Sequence, residues 1–191
     1  MVTVFVTIQR TATANNKAAA KITVNSQTLT RYKEFCSLSK GERKKFYANA
    51  PAKDRGYLWK AHLATYLGDH PDLTKPQVAV IAEGFDLINS PLFGLPGENT
   101  GLTAQLKAHE AMALAVFPEE EAGKIFTDLG TPLSPSIANS EASGLLGDCQ
   151  CSTSDSWCST RTGHCFWGGG ICTFINNGCG WFYQYTCNGI C

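Results

Sequence analysis

Charged residues are almost missing from the last part of this sequence. Residues 149–191 contain one acidic residue, Asp155, one basic residue, Arg161, and neither lysine nor glutamate. The whole chain has 16 acidic and 16 basic residues, so its formal net charge is zero. This balance gives no reason to expect a nucleic acid or an anionic membrane as a partner.

Long apolar runs and familiar site motifs are also missing. No apolar segment approaches the roughly 20 residues that a membrane helix needs, and no Gly-x-Ser-x-Gly, His-Glu-x-x-His, phosphate-binding loop or catalytic carboxylate pair is present. A hydrophobic content of 43% excludes wholesale disorder. We therefore expect a folded protein that is not an enzyme and that uses no cofactor.

Cysteine is rare before residue 149 and abundant after it. Cys36 stands alone, and the other eight cysteines are Cys149, Cys151, Cys158, Cys165, Cys172, Cys179, Cys187 and Cys191. A segment of about 40 residues cannot bury enough apolar surface to fold unaided. An even number of cysteines in a charge-poor segment indicates four disulfides, although eight cysteines allow roughly a hundred pairings.

Metal and redox sites are less favoured uses of these cysteines. Zinc sites and thioredoxin-type redox sites use Cys-x-x-Cys pairs, and none occurs here. His164 beside Cys165 offers one further metal ligand, but an isolated histidine next to a cysteine is more often a surface residue. We predict no metal site.

Helix signals dominate the middle of the chain. Ser39 with Glu42 and Thr74 with Gln77 fit the capping box, in which a hydroxyl precedes a carboxylate or amide by three residues. Apolar residues recur at steps of three and four over residues 58–67. Further helices are expected over 103–117 and from Pro118 to about Leu129. Residues 30–130 are therefore predicted to form a small helical bundle with short connections.

The boundaries follow changes in composition. Residues 1–29 are expected to be a flexible N-terminus, with a short strand as an alternative for its first residues and no clear signal peptide. Residues 131–148 are rich in Ser, Pro, Gly and Ala, which is typical of a linker. Small residues beside a disulfide-bonded module are readily cut by proteases, so we expect cleavage near Gly147 and Asp148.

The segment 149–191, hereafter the tail, is predicted to contain a β-hairpin. Asn177-Gly178 supplies the positive φ angles of a tight hairpin turn. The strand-forming residues 181–186 follow it. The predicted fold is thus a helical region joined to a small disulfide-rich module that contains a hairpin.

The tail also holds seven large aromatic residues among few charges: Trp157, Phe166, Trp167, Trp181, Phe182, Tyr183 and Tyr185. They could pack around the disulfides. They could equally form a surface that contacts a membrane interface or a receptor, where Trp and Tyr are favoured. Both interpretations stay open at this point.

Cys36 lies in an amphipathic stretch outside the tail. The simpler interpretation is a small buried apolar residue. A nucleophile is the alternative, and it would need one of His62, His70 or His109 as a base.

Short motifs in the tail resemble a known family. The tail opens with Cys149-Gln150-Cys151-Ser152-Thr153, continues with Gly178-Cys179-Gly180-Trp181 and closes with Cys187-Asn188-Gly189. With segments at 58–63, 70–74 and 88–93, these motifs resemble the fulvocin C-related bacteriocins over about 30–93 and 149–191. The resemblance implies a precursor in which the helical residues 30–130 are a leader or pro-region. Removal of this long N-terminal region would release a disulfide-bonded toxin.

We therefore expect a secreted antibacterial precursor whose partners are a processing protease, the export machinery and a target-cell envelope or receptor. One alternative is a secreted binding or inhibitor module that is never cut. Another is a ribosomal peptide in which dehydrated Ser and Thr form thioether rings with the cysteines. Nine Ser and Thr residues in the tail would supply such rings.

Overall fold

The structure is a computed structural model of the chain. It describes residues 4–7, 21–95, 100–130, 147–155, 157–158 and 164–191. Most of the predicted linker, residues 131–146, lies outside the described residues.

The N-terminal part is more regular than predicted. Strand β1 (Val4–Thr7) pairs antiparallel with β2 (Lys21–Val24), so the short strand expected at the start is present. Helix α1 (Ser26–Cys36) begins after Asn25, whose side chain accepts a hydrogen bond from the Thr28 amide at 2.8 Å. Such a cap stabilises a helix by satisfying a free amide. The prediction of a flexible segment up to residue 29 is therefore wrong for residues 21–29.

The next three helices begin where capping signals or proline predict. Helix α2 (Lys40–Asn49) starts with the Ser39–Glu42 capping box, and α3 (Ala52–Asp69) follows Pro51. Helix α4 (Lys75–Ile88) starts with the Thr74–Gln77 box. The two predicted capping boxes are confirmed.

Two further helices complete the helical region, which we define as residues 26–130. Helix α5 (Thr100–Val116) begins three residues before the predicted start, and α6 (Glu119–Phe126) follows Pro118. Three glutamates occupy the first turn of α6, where they interact favourably with the helix dipole. The described part of the chain thus contains six α-helices, and none is long and apolar enough to cross a membrane.

Helix α3 is the helix against which several others pack. Helix α3 contacts α1, α4 and α6, while α5 contacts α4 and α6. The central side chains Trp59, Leu63, Ile81 and Phe126 are fully buried. Trp59 of α3 and Gly84 of α4 lie beside Phe182 of the tail.

The tail consists of short antiparallel strands. Strand β3 (Phe166–Trp167) pairs with β6 (Gly189–Ile190), and β4 (Ile175–Cys179) pairs with β5 (Tyr185–Cys187). The coarse prediction of a small cysteine-rich module with antiparallel strands is confirmed.

The predicted position of the hairpin turn is wrong. Asn177 and Gly178 do have positive φ angles, 60° and 131°, but they lie inside β4 at an irregularity of the ladder. The chain reverses at Gly180–Gln184, with Trp181–Tyr183 forming a short 3-10 turn instead of a strand. The reason is tertiary: the aromatic side chains of this turn enter the helical region.

Candidate functional site

The site is a turn of the tail inserted into the helical region. We call residues 180–184 the aromatic turn. Cys179 and Cys187 form a disulfide at its base, with their Cα atoms 5.2 Å apart. Phe182 and Tyr183 adopt φ angles of 54° and 56°, a left-handed conformation that is unfavourable for residues with bulky side chains. The burial of both side chains compensates for this backbone strain.

Aromatic side chains of the helical region surround this turn. Phe182 and Tyr183 each pack edge-on against Trp59, at centroid distances of 5.0 and 5.5 Å. Trp181 stacks on Phe126 of α6 at 4.9 Å. Such edge-on and stacked arrangements are the favoured geometries of aromatic pairs. Trp181 and Phe182 have no exposed surface at all, so the two parts of the chain share one hydrophobic core.

A glycine of α4 makes room for the turn. A Cβ atom at Gly84 would lie 3.1 Å from Cζ of Phe182 and 3.3 Å from a methyl group of Leu63. Those distances are shorter than ordinary van der Waals contact, so a larger residue would push Phe182 outward. The missing side chain of Gly84 thus leaves the space that the Phe182 ring occupies.

His109 of α5 binds the indole of Trp181. Trp181 Nε1 donates to His109 Nδ1 at 2.9 Å, and His109 Nε2 lies 2.9 Å from the Val80 carbonyl. Because an indole can only donate, Nδ1 must be unprotonated, and Nε2 carries the proton that bonds to Val80. Burial lowers the pKa of His109 to about 4, which keeps the ring neutral.

Two carboxyl groups complete the surroundings of the tryptophans. Asp155 accepts from the Trp181 amide at 2.5 Å, and burial raises the pKa of this carboxyl to about 7. Glu110 of α5 accepts from Trp157 Nε1 at 2.7 Å, and burial also raises the pKa of Glu110. Asp155 belongs to the tail and orders the turn, whereas Glu110 joins the tail to α5.

The polar groups of the turn are paired across the same junction. Tyr47 Oη donates to the Phe182 carbonyl at 3.3 Å and accepts from Gln184 Nε2 at 3.0 Å. Gln184 Oε1 accepts from the Gly94 amide at 2.8 Å. Paired buried groups avoid the cost of unsatisfied donors and acceptors.

A second contact involves helix α2 and the start of the tail. Lys44 Nζ donates to the Gln150 carbonyl at 2.7 Å, and burial lowers the pKa of Lys44 to about 8. Lys45 forms an ion pair with Asp148 at 3.1 Å. Helix α2 therefore holds the tail beside the predicted cleavage region.

The backbone at Gly147 and Asp148 is itself paired. Thr173 donates its amide to the Gly147 carbonyl at 3.1 Å and accepts from the Cys149 amide at 2.9 Å. A protease needs an accessible, extended backbone, so a cut between Gly147 and Asp148 requires these bonds to open.

All eight tail cysteines lie in pairs with disulfide geometry. The pairs are Cys149–Cys172, Cys151–Cys165, Cys158–Cys191 and Cys179–Cys187, with Cα separations of 5.0 to 5.9 Å. The sequence left this connectivity open. The sulfurs of Cys151, Cys158 and Cys191 lie within 4.8 Å of one another, but each belongs to a disulfide and so is not a thiolate ligand for a metal.

The seven tail aromatics do not form one surface in the intact chain. Four of them, Trp181, Phe182, Tyr183 and Tyr185, are at most 2% exposed because they lie in the shared core. Trp157 is partly buried and packs against the same core. Phe166 and Trp167 are each 62% exposed. Trp167 packs edge-on against Phe174, which is 46% exposed, and we call this pair the exposed patch. The buried aromatics therefore pack against the helical region, and contact of the exposed ones with a membrane or receptor stays a prediction.

Cys36 lies beside a tyrosine instead of a histidine. The Tyr32 hydroxyl lies 2.6 Å from His62 Nδ1 and also contacts the Cys36 thiol. His62 Nε2 is within 3.1 Å of the Ile125 carbonyl. Burial raises the pKa of the Cys36 thiol, which disfavours the reactive thiolate. His109 bonds to Trp181 and His70 stacks on Tyr66, so neither is engaged with Cys36.

Sequence reasoning missed the helical half of this site. Nothing local distinguishes Gly84, Tyr47 or Gly94 from other residues of their types. His109 was considered only as a possible base for Cys36. No protein-family model, curated protein or solved structure matches this chain.

Proposed function

We propose that this chain is the precursor of a secreted, disulfide-bonded antibacterial peptide. In this proposal the tail is the active part after cleavage ahead of Cys149, and the helical region covers its aromatic turn beforehand. The observation that carries the proposal is the complete burial of Trp181 and Phe182 by helices that precede the linker.

The charge and aromatic content of the tail support an action on the target-cell envelope. Residues 164–191 contain no Asp, Glu, Lys or Arg. Separation from the helices would expose Trp181, Phe182 and Tyr183 in addition to the exposed patch. A small module with almost no charge and many exposed aromatics suits the interface of a membrane, where such side chains are favoured.

The disulfides support a function outside the cell. Four disulfides in a segment this small are typical of proteins that work in oxidising surroundings. They constrain the unfolded chain and so hold together a tail that would lose the helical core on release.

An uncleaved binding module is the second candidate function. The continuous core of tail and helices favours it, because a permanent single protein would be built in this way. Its binding surface would be the exposed patch, where Trp167 and Phe174 pack edge-on at 5.1 Å.

The test compares three forms of the oxidised protein. The full chain is cut within 131–146 at an inserted protease site, and the tail is then separated in denaturant with its disulfides intact. Growth inhibition of related bacteria by the separated tail, with none by the uncut chain, supports the precursor. A separated tail that is inactive, together with only full-length protein in the culture medium, favours the binding module.

A further inference from the structure

We infer that the helical region is a binding partner for the tail in its own right, and that cutting the linker yields a two-chain complex instead of a free tail. The biological meaning of this complex rests on the proposed precursor function. The complex itself does not, because it follows from the contacts alone.

The contacts across the junction do not depend on the linker. Six hydrogen bonds join the helical region to the tail. The bonded pairs are Lys44–Gln150, Tyr47–Phe182, Gly94–Gln184, Leu95–Asn177, Glu110–Trp157 and His109–Trp181. Each pair joins residues 44–110 to residues 150–184. A cut within 131–146 leaves every one of these hydrogen bonds in place.

The anchors have the properties of side chains that dominate the affinity of protein interfaces. Trp181, Phe182 and Tyr183 lie at the centre of the junction, are at most 2% exposed, and fill a pocket lined by other aromatics. Buried central Trp and Tyr residues of this kind contribute most of the binding energy at protein interfaces.

The helical region without the tail would present a site complementary to one ligand. Trp59, Gly84 and Phe126 would lose their cover, while His109 Nδ1 and the Gly94 amide would lose their partners. An apolar pocket with an acceptor and a donor in these positions fits the aromatic turn of the chain itself. The occupant is therefore the tail, bound in trans.

The disulfide at the base of the turn favours this rebinding. Cys179 and Cys187 hold the ends of β4 and β5 together, so the oxidised tail keeps the turn closed after separation. A closed turn loses less conformational entropy on binding than an open one. The helical fragment is thus expected to sequester free tail and to suppress its activity when added back.

The experiment uses the full chain with a protease site inserted within 131–146. After complete cutting, both fragments are expected to elute together from a size-exclusion column at a protein concentration of about 1 µM, because a well-packed interface keeps them associated. Separate elution of two folded fragments would overturn the inference.

Two glycine variants provide matched controls. Gly84→Val places methyl groups against Phe182, whereas Gly68→Val lies in α3 with no atom within 4 Å of the added Cβ. We expect the fragments of the cut Gly84→Val protein to associate about 100-fold more weakly than those of the parent. The cut Gly68→Val protein is expected to match the parent. Equal affinities for both variants would contradict the assignment of this pocket.

A variant on the tail side covers the case in which Gly84→Val does not fold. Gln184→Ala removes the acceptor of the Gly94 amide and the donor to Tyr47 without changing any helix. About tenfold weaker association is expected, since buried hydrogen-bonding groups lose their partners; unchanged association would count against the inference.

The two proposals fail in different ways. If the cut fragments separate but the free tail inhibits bacteria, the binding-partner inference fails and the precursor function stands. If the fragments stay together and the separated tail is inactive, the binding-partner inference stands and the precursor function fails.

Discussion

Trp181 of the tail donates its indole N–H to Nδ1 of His109 on α5, over a distance of 2.9 Å and a sequence separation of 72 residues. This bond fixes the protonation state of the histidine and the position of the aromatic turn together. It makes the junction between tail and helices sensitive both to packing and to pH.

The first prediction concerns packing. Phe182→Ala is expected to lower the free energy of unfolding of the intact chain by about 3–5 kcal/mol, because it leaves a cavity beside Trp59 and Gly84. Phe166→Ala is the control, since Phe166 is 62% exposed and should change stability by less than about 0.5 kcal/mol. Chemical denaturation measures both, and equal effects would contradict the shared core.

The second prediction concerns acid. Burial lowers the pKa of His109 to about 4, below its ordinary value of 6.5. Between these two pH values the histidine is protonated in the unfolded chain and neutral in the folded chain. The contribution of neutral His109 to the free energy of unfolding is therefore complete above pH 6.5 and is lost as the pH falls toward 4. His62 is buried and shifted in the same direction to about 4.

This acid sensitivity can be measured with His109→Gln. Unfolding of parent and variant is compared at pH 7 and pH 4.5, and the variant is expected to lose less stability between these two values. A variant whose pH dependence equals that of the parent would show that His109 does not titrate in this range.

The third prediction has the opposite sign. Burial raises the pKa of Asp155 from 3.8 to about 7. The contribution of the protonated carboxyl to the free energy of unfolding is therefore complete below pH 3.8 and is lost as the pH rises toward 7. Asp155→Asn keeps an oxygen that accepts from the Trp181 amide but cannot ionise. The variant is therefore expected to gain stability, relative to the parent, as the pH rises from 5 to 8. A constant difference over this range would contradict the burial of an ionisable carboxyl at this position.

The fourth prediction concerns the cysteines. A non-reducing digest is expected to yield the linked peptides Cys149–Cys172 and Cys179–Cys187, and the intact mass should be lower by two hydrogens per disulfide. Replacing both Cys179 and Cys187 with serine should cost about 2–4 kcal/mol. Loss of water from the tail mass, or resistance of the links to thiol reductants, would instead indicate thioether rings.

The helices could be predicted from the sequence because their signals are local. Ser39 with Glu42 and Thr74 with Gln77 bring donor and acceptor within one turn, and each pair does begin a helix. The eight tail cysteines likewise identified a disulfide-rich module through number and composition. Signals of these kinds need no knowledge of distant residues.

The site could not be predicted because its contacts join distant segments. The Asn177-Gly178 signal predicts a hairpin turn, but burial of Trp181 and Phe182 against α3 and α6 places the reversal about four residues later. Positive φ angles at Phe182 and Tyr183 are unfavourable locally, so no propensity argument finds them.

In the proposed precursor, the helices cover an aromatic turn that the tail uses to act on membranes once it is free. Dye leakage from zwitterionic phosphatidylcholine vesicles tests it most directly, with the uncut chain, the cut complex and the separated oxidised tail at equal concentrations. Leakage is expected with the separated tail, and little leakage is expected with the other two forms. Equal leakage by all three forms, or none by any, would contradict it.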